Sequence, residues 1–257
     1  MEVITVANNK GGVGKTMQCY QLACHLAQKG NKVLVIDLDS QANLSSTFGV
    51  QIQRTLIPEW LIGDVEAADV IVPSEGKGKF HENVFLIPSS RHLANLSKLL
   101  ILSEAEVRKD AGRKERLIRK RLEQVKDMFD YIVIDTPPML GDELIMALVA
   151  SNQILIPTQA QDYSIDGLEE LMDTFEIIKE TENPGLSFSI IPSMVNLRRK
   201  IERQRLSELA QSFNITAPVR NLVQMQESIS MQKPICAMGK KSRGHMDYSA
   251  LWESLGL

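Results

Sequence analysis

The amino-acid sequence predicts a single doubly wound α/β domain over residues 1–257, a mostly parallel sheet with helices on both faces. Two observations carry that expectation. Six short, β-branched, apolar runs recur along the chain: EVITVA, KVLVIDLD, NVFLIP, YIVIDTPP, NQILIPT and LSFSIIPSMV. Several are apolar at successive positions rather than alternating, as strands covered on both faces are. Between most of them lie stretches of helical periodicity, and strands alternating with helices make a parallel sheet with ligands at the carboxyl ends of its strands. No internal repeat, low-complexity linker or composition break divides the chain.

Each element has its own reason. EVITVA opens the sheet. The first helix carries Cys19, Leu22, Ala23, Leu26 and Ala27 on one face, and Lys29-Gly30-Asn31 stops it at a glycine. Residues from Ile52 to Lys79 are the least patterned, and PSEGKGK within them reads as an exposed loop. RKDAGRKERLIRKRLEQV, Arg108 to Val125, reads as a basic surface helix with Leu117, Ile118, Leu122 and Val125 on its apolar face. The tail HMDYSALWESLGL reads as a last helix that packs Tyr248, Leu251 and Trp252 onto the core.

Composition narrows the function. The chain is 44% hydrophobic and 24% charged, an ordinary globular balance, and its net charge is −3. No global field attracts nucleic acid, so any DNA-binding surface must be a local patch. Three cysteines without a C-x-x-C pair read as buried thiols in a reducing compartment. The four histidines lack ligand spacing, which argues against zinc. No signal peptide and no membrane-crossing segment are evident, so a soluble, cytoplasmic protein is expected.

NNKGGVGKT, Asn8 to Thr16, falls between the first strand and the first helix, the context a phosphate loop requires. Gly11, Gly12 and Gly14 let the backbone turn tightly, so that successive N–H groups point at phosphate oxygens. The following helix adds its positive end. Lys15 is placed to reach the β- and γ-phosphates, and the Thr16 hydroxyl to ligate Mg²⁺. The common pattern G-x-x-x-x-G-K-[ST] would need glycine at position 9, where this chain has Asn9, followed by Lys10. Two more segments bear on the same chemistry. VLVIDLDSQAN ends a strand with Asp37 and Asp39, Gln41 just beyond, and YIVIDTPP ends another with Asp135. Carboxylates at strand ends near such a loop are where Mg²⁺ and an attacking water need partners. A lone acidic residue there is often only a helix cap, but three such signals rarely coincide by accident.

KGGVGKT, DLDSQAN and YIVIDTPP together resemble the ParA/Soj branch of the deviant Walker A ATPases, the group that also holds MinD. The similarity continues through QILIPTQAQDYSIDGLEEL and KPICAMGKKSRGHMDYSAL, over nearly the whole chain. The family loop is K-G-G-x-x-K-[ST], for which Asn9 is normal. The resemblance implies a P-loop NTPase fold, ATP and Mg²⁺ as cofactors, and slow hydrolysis of ATP to ADP and phosphate. It places the nucleotide on Lys10, Gly11, Gly12, Val13, Gly14, Lys15, Thr16 and Met17. Lys10, Lys15 and Asp39 become the catalytic residues. Lys10 would reach across an ATP-sandwich homodimer to the partner's phosphates, a cation delivered in trans to the transferring phosphoryl group. Asp39 would position or activate the water, and Asp37 would hold the switch segment. The metal would be served by Thr16, Asp39 and Asp135, the last through a water. Two departures bear on the hydrolysis rate. Met17 replaces a frequent second threonine, and Ser40 replaces the proline of D-x-D-P-Q.

The branches of the family differ in what the dimer touches. A MinD-like basic membrane helix is disfavoured, because the tail has two acidic residues and no lysine or arginine. The cysteine spacing matches no shared iron–sulfur cluster, and the phosphate loop starts too early for an N-terminal helix-turn-helix domain. What remains is a partition-type ATPase that binds double-stranded DNA without sequence preference and is stimulated by a ParB-like centromere-binding protein, associated with a bacterial nucleoid or plasmid. The expected DNA surface is Arg198, Arg199 and Lys200 in NLRRKIERQRLSEL, with Arg220, which matches a family arginine assigned to DNA. Lys240, Lys241 and Arg243 lie nearby in sequence, and a plain solvated face is the alternative for each cluster. Two rival readings remain: a MinD-like ATPase that positions a division or cell-surface complex, and a nucleotide-gated regulatory switch.

Overall fold

The six apolar runs become six strands of one sheet. The computed structural model describes residues 1–76, 78–159 and 166–257, with the backbone alone at 166, 167 and 169. Part of the segment QAQDYSIDGLEEL, from 160 to 165, therefore lies outside the described residues. The strands are β1 (Glu2–Val6), β2 (Val33–Asp37), β3 (Val72–Pro73), β4 (Val84–Ile87), β5 (Tyr131–Asp135), β6 (Gln153–Gln159) and β7 (Ser187–Ser193). They lie in the order β3-β4-β2-β5-β1-β6-β7, and every pair is parallel except β3 with β4.

The helices are α1 (Lys15–Gln28), α2 (Asn43–Thr47), α3 (Ile57–Ile62), α4 (Ala67–Val70), α5 (Leu96–Leu102), α6 (Glu104–Ala111), α7 (Leu117–Leu122), α8 (Asp142–Ala150), α9 (Asp166–Thr181), α10 (Lys200–Ser212), α11 (Val223–Ser230) and α12 (Arg243–Ser254). Strand side chains alternate between two helical layers, as the two-residue period of a strand demands. Ile4, Val6, Val33, Val35, Val133 and Leu155 face α1 and α12, where Tyr248, Leu251 and Trp252 are buried. Val3, Leu34, Ile36, Ile132 and Ile134 face the opposite layer, with Trp60 of α3 and Leu117, Ile118 and Leu122 of α7. Ile154, Ile156 and Ile190 extend that layer against Leu171 and Phe175 of α9. A helix the length of α1 is marginal alone in water. Each fully buried leucine contributes roughly 1.5–3 kcal/mol, so the stripe of Cys19, Leu22, Ala23 and Leu26 is what fixes it. Gly30 at φ +91° ends it, its N–H bonding the Ala27 carbonyl.

Two sequence expectations need correction. Arg108 to Val125 is not one helix. It breaks at Gly112, whose φ of +75° lies in the left-handed region, and resumes as a 3₁₀ turn and then α7. Its apolar residues are buried and Arg108, Arg113 and Arg116 are exposed, as expected, whereas Arg121 is buried. Arg113 and Arg116 pair with Glu182, and Arg119 donates to the Val149 carbonyl. The stretch from Ile52 to Lys79 contains α3, α4 and β3, so the exposed loop read from Pro73 begins one residue after the strand does. Pro73 is tolerated because β3 is an edge strand, where a missing N–H costs no ladder bond.

The topology places a crevice at one edge of the sheet. α1 carries the chain from β1 to β2 on one side, and α8 carries it from β5 past β1 to β6 on the other. The order therefore reverses around β1, and a crevice opens at the carboxyl ends of β1, β5 and β6. Among the described residues no helix is long and apolar enough to cross a membrane.

Candidate active site

Residues 8–14 fill that crevice. Asn8 anchors the loop at its start: its amide donates to the Pro157 carbonyl at 2.8 Å and its Oδ1 accepts from Lys10 N–H at 2.9 Å. Gly12 (φ +75°) and Gly14 (φ +97°) hold conformations that a side chain would strain, and Gly14 sits at the N-cap of α1. No atom lies within 4 Å of where a Cβ would stand on Gly11 or Gly12, so the loop is open above them. Among the described residues, the N–H groups of Gly11, Gly12, Val13 and Gly14 donate to no backbone carbonyl. The result is a concave row of unpaired donors at a helix N-terminus, the physical requirement of a polyphosphate cradle.

Lys15 is buried, and its Nζ donates to the Lys10 carbonyl at 2.9 Å. Burial pulls its pKa down, while Asp135 and Asp39 pull it up. The two lysines of the loop are thus adjacent, one curled inward and the other half-exposed at the rim.

Asp37 and Asp135 stand side by side at the ends of β2 and β5, paired in register. Asp37 is fully buried and accepts from Ser45 N–H at 2.8 Å, Ser45 Oγ at 2.7 Å and Asp39 N–H at 3.2 Å. It ties α2 to the sheet. Asp39 is half-buried, with Oδ1 accepting from Gln41 N–H at 2.9 Å. Thr16 Oγ1 donates to Asp135 Oδ2 at 2.8 Å, while Asp135 Oδ1 is buried with no hydrogen-bond partner. Burial raises the pKa of Asp135, and the neighbouring Asp37 raises it further. A buried carboxylate oxygen without a partner is costly. It fits a hydrated divalent cation, which would satisfy that oxygen and favour the ionised form. Of the expected metal residues, Thr16 and Asp135 are joined by a hydrogen bond, and Asp39 lies two residues beyond Asp37 with one oxygen on Gln41 N–H. Among the described residues no cluster of three His, Cys, Asp or Glu forms an all-protein cage.

Beside the loop is an apolar cavity of 360 Å³, lined by Met17, Met194, Val219, Met225, Ile229 and Tyr248 among others. The methionine that departs from the family pattern is part of its wall. A larger cleft of 440 Å³ around Ile101, Val107 and Gly112 touches none of the motif residues.

The expected DNA residues gather at a polar pocket of 470 Å³ lined by Arg198, Arg199, Arg220 and Arg243. Arg198, Arg199 and Lys200 are exposed at the start of α10. Glu202, buried beneath them, accepts from Asn196 N–H at 2.7 Å and from Arg199 at 3.3 Å. Arg220 differs from these. Its Nε and Nη2 donate to the Asp247 carboxylate at 2.6–3.0 Å, and its backbone N–H donates to the same group at 3.0 Å. Its charge is offset by Asp247 through several short bonds, as that of Arg199 is more weakly by Glu202 at 3.3 Å, whereas Arg198 and Lys200 are exposed.

Comparison with known proteins places this geometry. A family model described as an AAA domain matches residues 1–188. The sporulation initiation inhibitor protein Soj of Bacillus subtilis is 33% identical over 95% of this chain and 93% of its own. The chromosome partitioning protein ParA of Myxococcus xanthus is 32% identical over 98% of this chain and 87% of its own. The chain belongs to the ParA/Soj family of P-loop ATPases. Among solved structures, a Cyanothece McdA–ATP complex superposes with a TM-score of 0.81 at 26% identity, covering 100% of this chain and 97% of that one. A plasmid partition protein from Borrelia burgdorferi bound to AMPPNP gives 0.80 at 24% identity, over 99% and 98%, and speaks for the fold alone. Family membership accounts for the loop with two lysines. It leaves open what Asn8, Gln159, Met194 and the apolar cavity do, residues to which the sequence reading gave no role.

Proposed function

We propose that this chain is an ATP-dependent DNA-partition ATPase whose site is completed by a second copy. The observation that carries the reading is the convergence of Lys15, Thr16, Asp37, Asp39 and Asp135 on one open loop at the reversal point of the sheet. Gly11 to Gly14 and the N-terminus of α1 bind the β- and γ-phosphates. Lys15 leaves the Lys10 carbonyl for a phosphate oxygen, a stronger, charge-assisted partner. The apolar cavity takes the nucleobase, with Met17, Met194 and Met225 against its faces. Thr16, Asp39 and Asp135 would hold Mg²⁺, which would supply positive charge to the phosphates. Asp39 accepts a hydrogen bond from the water that attacks the γ-phosphorus, in line with the breaking bond to the bridging oxygen. Lys10 acts in trans, placing its charge on the partner's polyphosphate.

Closure of two chains sets two arginine surfaces side by side. A −3 monomer with one basic patch binds DNA weakly, whereas two patches span more phosphates and release more counterions. A ParB-like centromere-binding protein then stimulates hydrolysis and returns the chain to the monomer. Co-sedimentation with random duplex DNA at low salt tests the reading. Retention is expected with Mg·ATP and not with ADP. Equal or absent retention under both conditions would leave a surface-positioning or regulatory ATPase as the better account.

A further inference from the structure

The phosphate loop is braced from outside by a side chain that the three nucleotide motifs do not include. Gln159 ends β6, and its Nε2 donates to the Gly12 carbonyl at 2.8 Å. The same nitrogen lies 3.1 Å from Sδ of Met194. Both neighbours are acceptors without a hydrogen to give, so the amide must present its NH₂ edge to them and its orientation is fixed. Met194 itself holds a left-handed backbone, φ +54°, unusual for a residue with a side chain. Its Cε reaches to 3.6 Å from where a Cβ would stand on Gly14. Gln159 thus bonds Gly12 and Met194 lies over Gly14, from the ends of adjacent strands.

We propose that Gln159 is a positioning residue for phosphate binding, acting through the Gly12–Val13 peptide. A trans peptide is planar, so its C=O and N–H point in opposite directions. Holding the Gly12 carbonyl outward on Gln159 turns the Val13 N–H inward, towards the concave side of the loop. That N–H donates to no backbone carbonyl among the described residues. This peptide turns about Gly12 ψ and Val13 φ; Gly12 has no side chain to resist that rotation, which leaves the buried Val13 side chain as the other restraint. Without the Gln159 bond the plane is free to turn, and a donor aimed at a phosphate oxygen becomes one conformer among several. Pre-ordering of this kind raises affinity by removing an entropy cost at the moment of binding. Gln159 acts here through its bond to the Gly12 carbonyl. The proposal rests on the nucleotide reading above.

Gln159→Met is the informative variant, because it keeps length and packing against Met194 but loses the donor. Calorimetric titration with ATP, ADP and adenosine, alongside thermal unfolding without ligand, separates the outcomes. The expected result is ATP and ADP affinity lower by about tenfold, the scale of one hydrogen bond that supports a charged ligand. The ligand-free melting temperature should stay at the wild-type value, and adenosine should lose much less affinity than ATP or ADP, since it has no phosphate to meet the Val13 N–H and feels the change only through Met194. Gln159→Glu should be worse than Gln159→Met, because a carboxylate would repel the Gly12 carbonyl. Wild-type ATP affinity in Gln159→Met would overturn the proposal alone. So would an equal loss for adenosine, or a lowered melting temperature, either of which marks a merely structural role. A wild type that does not bind ATP would overturn the nucleotide reading and this proposal with it.

Discussion

Asp39→Ala should bind ATP and leave it uncleaved. Phosphoryl transfer asks the protein for positioned charge and a placed water rather than for covalent chemistry. Asp39 is the carboxylate at this site with room to serve the water. Asp37 is buried and committed to Ser45 and to Asp39 N–H, and Asp135 is committed through one oxygen to Thr16. Asp39 is half-buried, and its hydrogen bond to Gln41 N–H occupies one oxygen. Loss of a positioned acid or base costs roughly 10²–10⁴-fold in rate. Affinity should change little, because the glycine loop and Lys15 are untouched. Phosphate release and equilibrium ATP binding, measured on the same preparation, test both halves. Wild-type turnover in Asp39→Ala would remove it from the mechanism, and loss of ATP binding would make it a structural acid.

Arg198→Glu combined with Arg199→Glu should abolish ATP-dependent DNA binding while nucleotide binding survives. Each phosphate contact contributes about 0.9 to the slope of log affinity against log salt. Two residues in each of two subunits therefore carry most of the dependence, and reversing their charge adds repulsion. Arg220→Ala makes the contrast. Its guanidinium is held by Asp247, so its removal should weaken DNA binding far less than the double variant does, and should unpair a carboxylate that is 9% exposed. DNA retention measured across a salt series distinguishes them. An unchanged affinity and slope in the double variant would return Arg198 and Arg199 to a plain solvated helix start.

The strands were legible because they are buried on both faces and so read as continuous apolar runs. β3 was not, since two residues carry no period and its pairing with Leu86 and Phe85 is decided by the neighbouring strand. The break at Gly112 was hidden by the charged residues on either side, which suit a helix as well as a turn. At the site, the glycines and Lys15 were legible because they fill the turn between β1 and α1, and the three aspartates because they stand at or just beyond a strand end. Gln159 and Met194 were not. Their contacts to the loop join residues far apart in the chain, 147 positions in the case of Gly12, and depend on β6 lying next to β1. The pairing of Arg220 with Asp247 is hidden for the same reason, since α12 brings the carboxylate back from 27 residues away.

The account turns on Lys10 acting across a dimer, and sedimentation velocity with a slowly hydrolysed ATP analogue tests it most directly. Two polyphosphates that face each other repel unless positive charge stands between them, and Lys10 is the half-exposed cation of the loop beside the buried Lys15. The wild type should sediment as a monomer without nucleotide and as a dimer with the analogue and Mg²⁺. Lys10→Ala should bind the analogue through Lys15 and the backbone cradle yet remain a monomer. A stable analogue-bound dimer of Lys10→Ala, or a wild type that stays monomeric when saturated, would contradict the account.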